Sequence, residues 1–113
     1  MGENKDYMTH PEKLGSIHIS EEVLASIAAE AAQEVDGISG LMSLATKKMS
    51  AKGVRVTSDE NGAVVDLYVM IRYGVPIPEV AEKLQNAVDT AIRSMTGFEV
   101  NAVNVHVGGV SFQ

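Results

Sequence analysis

The chain has 113 residues, 45% of them apolar and only 4% aromatic, and a formal net charge of −6. That length fits one domain with an aliphatic core, and the acidic surface repels nucleic acid and anionic lipid over long range. Cysteine is absent, which excludes a disulfide scaffold, thiolate catalysis and Cys-based zinc sites.

Residues 1–13, MGENKDYMTHPEK, are polar and close on a proline-containing stretch. They read as a flexible N-terminal arm without the apolar core of a signal peptide. Asp6 stands where a myristoylation signal takes Ser or Thr. No apolar run approaches the roughly 18–20 residues that span a bilayer. The expectation is a cytoplasmic protein without a membrane anchor of its own.

Residues 14–113 are expected to form the single domain. GSIHIS at 15–20 alternates like a short strand. Ser20 suits a helix N-cap, with Glu21 and Glu22 at the positive helix end. Val23, Leu24, Ile27, Ala28, Ala31 and Val35 then form one apolar stripe, and Gly37 is the expected C-cap. Residues 37–53 read either as a short strand and loop or as a partly ordered helix. GVRVT at 53–57 reads as a strand, and the Asn61-Gly62 pair signals a hairpin.

AVVDLYVMIRY at 63–73 is the strongest strand pattern. Val65, Leu67, Val69 and Ile71 make one face; Val64, Asp66, Tyr68, Met70 and Arg72 make the other. A second helix is expected from Pro78 to Met95, burying Val80, Ala81, Leu84, Val88, Ala91, Ile92 and Met95, with Gly97 ending it. Glu79–Lys83 and Asp89–Arg93 are i,i+4 pairs. EVNAVNVHV at 99–107 alternates again, with Asn104 and His106 opposite the valines.

The order β-α-(short element)-β-β-α-β predicts an α+β fold. Two helices pack on one face of a mostly antiparallel sheet of three to four strands. A split βαβ or a KH-like arrangement would satisfy it.

Three stretches in this order and spacing resemble the alkaline shock family of Gram-positive bacteria, also called the envelope stress response family. They are GSIHISEEVLASIAAEAAQEVDGISGL, VVDLYVMIRYGVPIPEVAEKLQNAVDTAIRSMTGFEV and the closing NVHVGGV. The resemblance implies a small cytoplasmic protein serving cell envelope homeostasis. It also implies gathering at the membrane through a membrane-anchored partner. It carries no catalytic residue set and implies no cofactor.

Gly37–Gly40 forms a G-x-x-G like the loop that clamps RNA in KH domains. Its variable positions are Ile38 and Ser39, and Asp36 precedes it, so it reads better as a helix stop followed by an apolar return. Lys47, Lys48, Lys52 and Arg55 form the one basic cluster, a candidate contact for an anionic surface. No aromatic is interleaved for base stacking. His18 and His106 are too few for a zinc site. Nothing pairs carboxylates in an apolar cleft, and no G-x-S-x-G or phosphate loop occurs.

The expectation is therefore a non-enzymatic adaptor or scaffold, without metal or cofactor, working through protein–protein contacts. His18, Val64, Tyr68, Met70, Asn104 and His106 would share one outer sheet face, if the first and last strands pair, and form the interface. Self-association and a membrane-anchored partner are expected; DNA and RNA are not. The alternative is a KH-like RNA-associated module.

Overall fold

The computed structural model describes residues 7–12, 14–42 and 53–112. In chain order these form β1 (Tyr7–Glu12), β2 (Gly15–Ser20), α1 (Glu21–Gln33), β3 (Ile38–Leu41), β4 (Val54–Asp59), β5 (Gly62–Arg72), α2 (Ile77–Thr96) and β6 (Val100–Ser111).

The sheet is built around β5, whose β-branched run (Val64, Val65, Val69, Ile71) favours an extended, packed strand. β4 lies antiparallel along its first half, from Asp59↔Gly62 to Val54↔Leu67. β3 lies antiparallel along its second half, from Leu41↔Val69 to Ile38↔Ile71. β6 runs parallel along the other side. This is the expected α+β architecture of two helices and a mostly antiparallel sheet. The first strand, however, does not join that sheet: β2 pairs antiparallel with β1 in a separate two-stranded sheet. Part of the segment expected as a flexible arm thus forms strand β1.

The β4–β5 turn differs by one position from its sequence signal. Glu60 and Asn61 form the turn, and Asp59 Oδ1 accepts from the N–H groups of Asn61 and Gly62 at 2.8 and 3.1 Å. Gly62 opens β5 at φ +140°, where a Cβ would lie 2.7 Å from Glu99 O.

Ser20 caps α1 as expected, its Oγ accepting from Val23 N–H at 3.2 Å. The Glu21 carboxylate accepts from Ser58 N–H at 3.0 Å and Ser58 Oγ–H at 2.6 Å, tying the helix start to β4. The helix closes at Glu34, ahead of Gly37. Gly37 instead lets the chain pass under α2: its φ is +100°, and a Cβ there would meet Val80 Cγ2 at 2.9 Å. α2 ends as expected on Gly97, at φ +78°, whose N–H donates to Arg93 O.

Leu24, Ala25, Ala28 and Ala32 from α1 are buried beside Val80, Leu84, Val88 and Ile92 from α2. They cover Val65, Leu67, Val69 and Ile71 of β5, all 1% exposed or less. The small alanines let α1 approach the sheet closely. Two expected core residues lie outside: Val23 is 48% and Met95 70% exposed. The buried stripes advance by four residues, through 24, 28 and 32 and through 80, 84, 88 and 92, which leaves both on the flank.

Candidate functional site

Both helices cover one face of the sheet, so the opposite face carries the remaining side chains of β5 and β6. Val64, Tyr68 and Met70 stand on it half-buried, with Asn104 and His106 beside them on β6. The parallel register sets Asp66 against Asn104 and Tyr68 against His106. Tyr68 and His106 stack, with ring centroids 4.4 Å apart and planes 10° apart.

Asp66 organises the face. It is only 8% exposed and is the buried charged residue of the strand. Its Oδ1 accepts from Asn104 Nδ2 at 3.2 Å and lies 3.0 Å from His106 Nε2. Arg55 Nη2, on β4, approaches Oδ2 at 3.6 Å. Burial pushes the Asp66 carboxyl up, but the hydrogen bonds from His106 and Asn104, with the Arg55 and His106 charges, outweigh it and hold the carboxyl below its usual value. The same network fixes the His106 ring over Tyr68.

Glycine shapes the far end of this face. A Cβ at Gly108 would overlap Met42 Sδ, and one at Gly109 would sit 3.6 Å from Met70 Cε and Cγ. The two methionine side chains therefore lie across the glycine pair and extend the apolar surface.

The expected interface set is thus partly assembled. Val64, Tyr68, Met70, Asn104 and His106 share the face. His18 does not, because β2 pairs with β1; its Nδ1 lies 3.1 Å from Thr9 Oγ1. The condition on which His18 was placed there, pairing of the first and last strands, is not met: β6 pairs with β5. Asp66 and Arg55 belong to the site by geometry. An acid in the middle of an otherwise apolar strand was the sequence signal for the first; the second needed the β4–β5 register.

Arg55 is thereby turned to Asp66 rather than offered to an anionic surface, while Lys47, Lys48 and Lys52 lie outside the described residues. At the G-x-x-G, Asp36 pairs with Arg72 at 3.2 Å. Ile38 and Leu41 pack against the core, as expected for an apolar return. Among the described residues no group of His, Asp and Glu is placed to hold a metal ion. No described helix is long and apolar enough to cross a membrane. An open groove of about 710 Å³ between α1 and β3 holds one titratable side chain, Glu30, among polar and small residues and the apolar side chains of Ile38 and Leu41.

Comparison with known proteins agrees with this architecture. The chain belongs to the alkaline shock protein 23 family, described as having a cell envelope-related function, which matches residues 9–112. It is 34% identical over 107 residues to the uncharacterized protein YqhY of Bacillus subtilis, covering 88% of this chain and 79% of that one. It is 37% identical over 108 residues to an uncharacterized protein of Streptococcus pyogenes serotype M6, covering 88% and 81%. Among solved structures, a MamM CTD variant superposes with a TM-score of 0.52 at 17% identity, over 78% of this chain and 93% of that chain. A nickel form of a MamM CTD variant gives 0.51 at 16% identity, over 78% and 96%. At such identities the likeness concerns the fold alone.

Proposed function

We propose that this protein is a non-enzymatic adaptor at the cytoplasmic face of the cell membrane, acting through protein–protein contacts made by the outer face of its sheet. The observation that carries the reading is that face. It presents an apolar patch (Val64, Tyr68, Met70) around a fixed polar centre (Asp66, Asn104, His106) that neither helix covers. A rigid aromatic beside satisfied polar groups is the composition of an interface core. The family's cell envelope-related description supports the setting. Contacts of this kind serve self-association and capture of a membrane-anchored partner.

Two measurements test it. Light scattering after size exclusion should show association of the parent protein at tens of micromolar, about the range where weak interfaces populate. Tyr68→Glu should abolish that association. Crosslinking and pull-down from the membrane fraction of the source cells should recover a membrane-embedded protein with the parent and lose it with Tyr68→Glu. A monomeric parent that recovers only soluble proteins, unaffected by the substitution, refutes the reading.

A further inference from the structure

β6 runs 12 residues, Val100–Ser111, along the border of the sheet. The direction of its backbone groups follows from β5. Tyr68 N–H donates to Gly53 O, Arg72 N–H to Gly37 O, and Tyr68 O accepts from Met42 N–H. Even-numbered backbone of β5 thus serves β3 and β4. Odd-numbered backbone serves the other side, as Ala63 N–H to Glu99 O and Tyr73 N–H to Ser111 O show. With Asp66 opposite Asn104 and Tyr68 opposite His106, the N–H and C=O groups of Val103, Val105 and Val107 turn away from β5. Among the described residues one side chain reaches this edge: Gln85 Nε2 donates to Val103 O at 3.0 Å.

Proteins blunt exposed edges with Lys, Pro, inward charges or short strands. From Val100 to Ser111 the sequence has no Asp, Glu, Lys or Arg and no proline, and its one histidine, His106, faces Asp66. The nearby charge comes from α2. Gln85 marks the side of α2 over the edge, and Glu82 and Asp89 lie one turn to either side of it. Glu99 precedes the strand, and Arg93 bridges Asp89 and Glu99 at 3.0 and 3.3 Å. Three carboxylates thus flank the edge with one guanidinium between them. A second copy paired through β6 would bring its own Glu82 and Asp89 beside these, and like charges so placed oppose pairing.

We propose that the edge of β6, which has no strand beside it among the described residues, receives an extended segment of a partner protein as an added strand. That segment carries alternating apolar residues flanked by Lys or Arg. The backbone of Val105 and Val107 would supply the ladder and the acidic rim the charge preference. The proposal rests on reading the chain as a protein-contact module, but it uses the sheet edge rather than the outer face.

The probes are two dye-labelled peptides with the same alternating Val-Thr centre, flanked by lysines in one and glutamates in the other. They are titrated into the full chain at low salt by fluorescence anisotropy. The lysine peptide should bind saturably and at least about tenfold tighter than the glutamate peptide. N-methylation of its alternate amides should abolish binding, and so should Val105→Pro, which removes an edge N–H while leaving the ladder to β5 in place. Circular dichroism checks that this variant keeps its fold. Glu82→Lys combined with Asp89→Lys should reverse the peptide preference, while Tyr68→Glu should leave binding within about twofold. A parent protein that makes no outer-face contacts yet still binds the peptide would therefore refute only the adaptor surface proposed above. Equal binding of the two peptides, or binding that survives N-methylation, overturns the edge proposal. Dimerisation sensitive to Val105→Pro without peptide uptake overturns it as well, by giving the edge to a second copy.

Discussion

Replacing Asp66 by Ala tests the polar centre of the outer face. The carboxylate accepts from Asn104 at 3.2 Å, lies 3.0 Å from His106 Nε2 and pairs with Arg55 at 3.6 Å. A hydrogen bond of this kind contributes about 0.5–1.5 kcal/mol net. The Arg55 pair contributes at most about 1 kcal/mol, because the Arg55 side chain is 35% exposed and water screens it. Water can also re-satisfy His106, whose side chain is 44% exposed. The expected loss at neutral pH is therefore about 1.5–3 kcal/mol, or a fall in Tm of about 4 °C per kcal/mol. The pH dependence carries its own sign. The folded carboxyl titrates below its usual value, so its stabilisation is present above the unfolded pKa and is lost as pH falls through the folded one. Urea unfolding of parent and Asp66→Ala at a series of pH values should show the two curves converging on the acid side of the usual carboxylate range, near 3.8. A difference below about 0.5 kcal/mol at neutral pH, or one that persists unchanged into acid, would refute the reasoning.

The glycines of the G-x-x-G should separate cleanly. Gly40→Ala has nothing within 4 Å of the new Cβ and should leave stability nearly unchanged. Gly37→Ala combines a φ of +100° with contact at 2.9 Å to Val80 and should cost about 1–3 kcal/mol by chemical denaturation. Leu84→Ala, at a site with no exposed surface, should cost about 2–5 kcal/mol in the same assay. Ser20→Ala removes the N-cap bond to Val23 and should cost about 1 kcal/mol.

Periodicity made much of this fold readable. The four-residue spacing of Val80, Leu84, Val88 and Ile92, and the alternation of Val65, Leu67, Val69 and Ile71, each point to one buried face, and both faces are buried. Helix ends were readable where a single residue acts locally, as at Ser20 and Gly97. Gly37 was misread as a C-cap because its φ serves a close pass under Val80, a neighbour 43 positions along the chain. His18 was misplaced for a related reason. Alternation gives a strand its two faces, but pairing depends on which strand lies beside it, and β2 found β1.

The candidate site divides along the same line. The sequence by itself determined that Val64, Asp66, Tyr68 and Met70 share one face of β5, since side chains on a strand alternate with a period of two. It likewise determined that Asn104 and His106 share one face of the last strand. Only the tertiary structure decided that β6 lies parallel beside β5 in the register that stacks His106 on Tyr68 and turns Arg55, Asn104 and His106 toward Asp66. It also left the outer edge of β6 without a strand beside it among the described residues. Local spacing is encoded residue by residue. Strand order and register arise from how two helices and a sheet bury their apolar faces together.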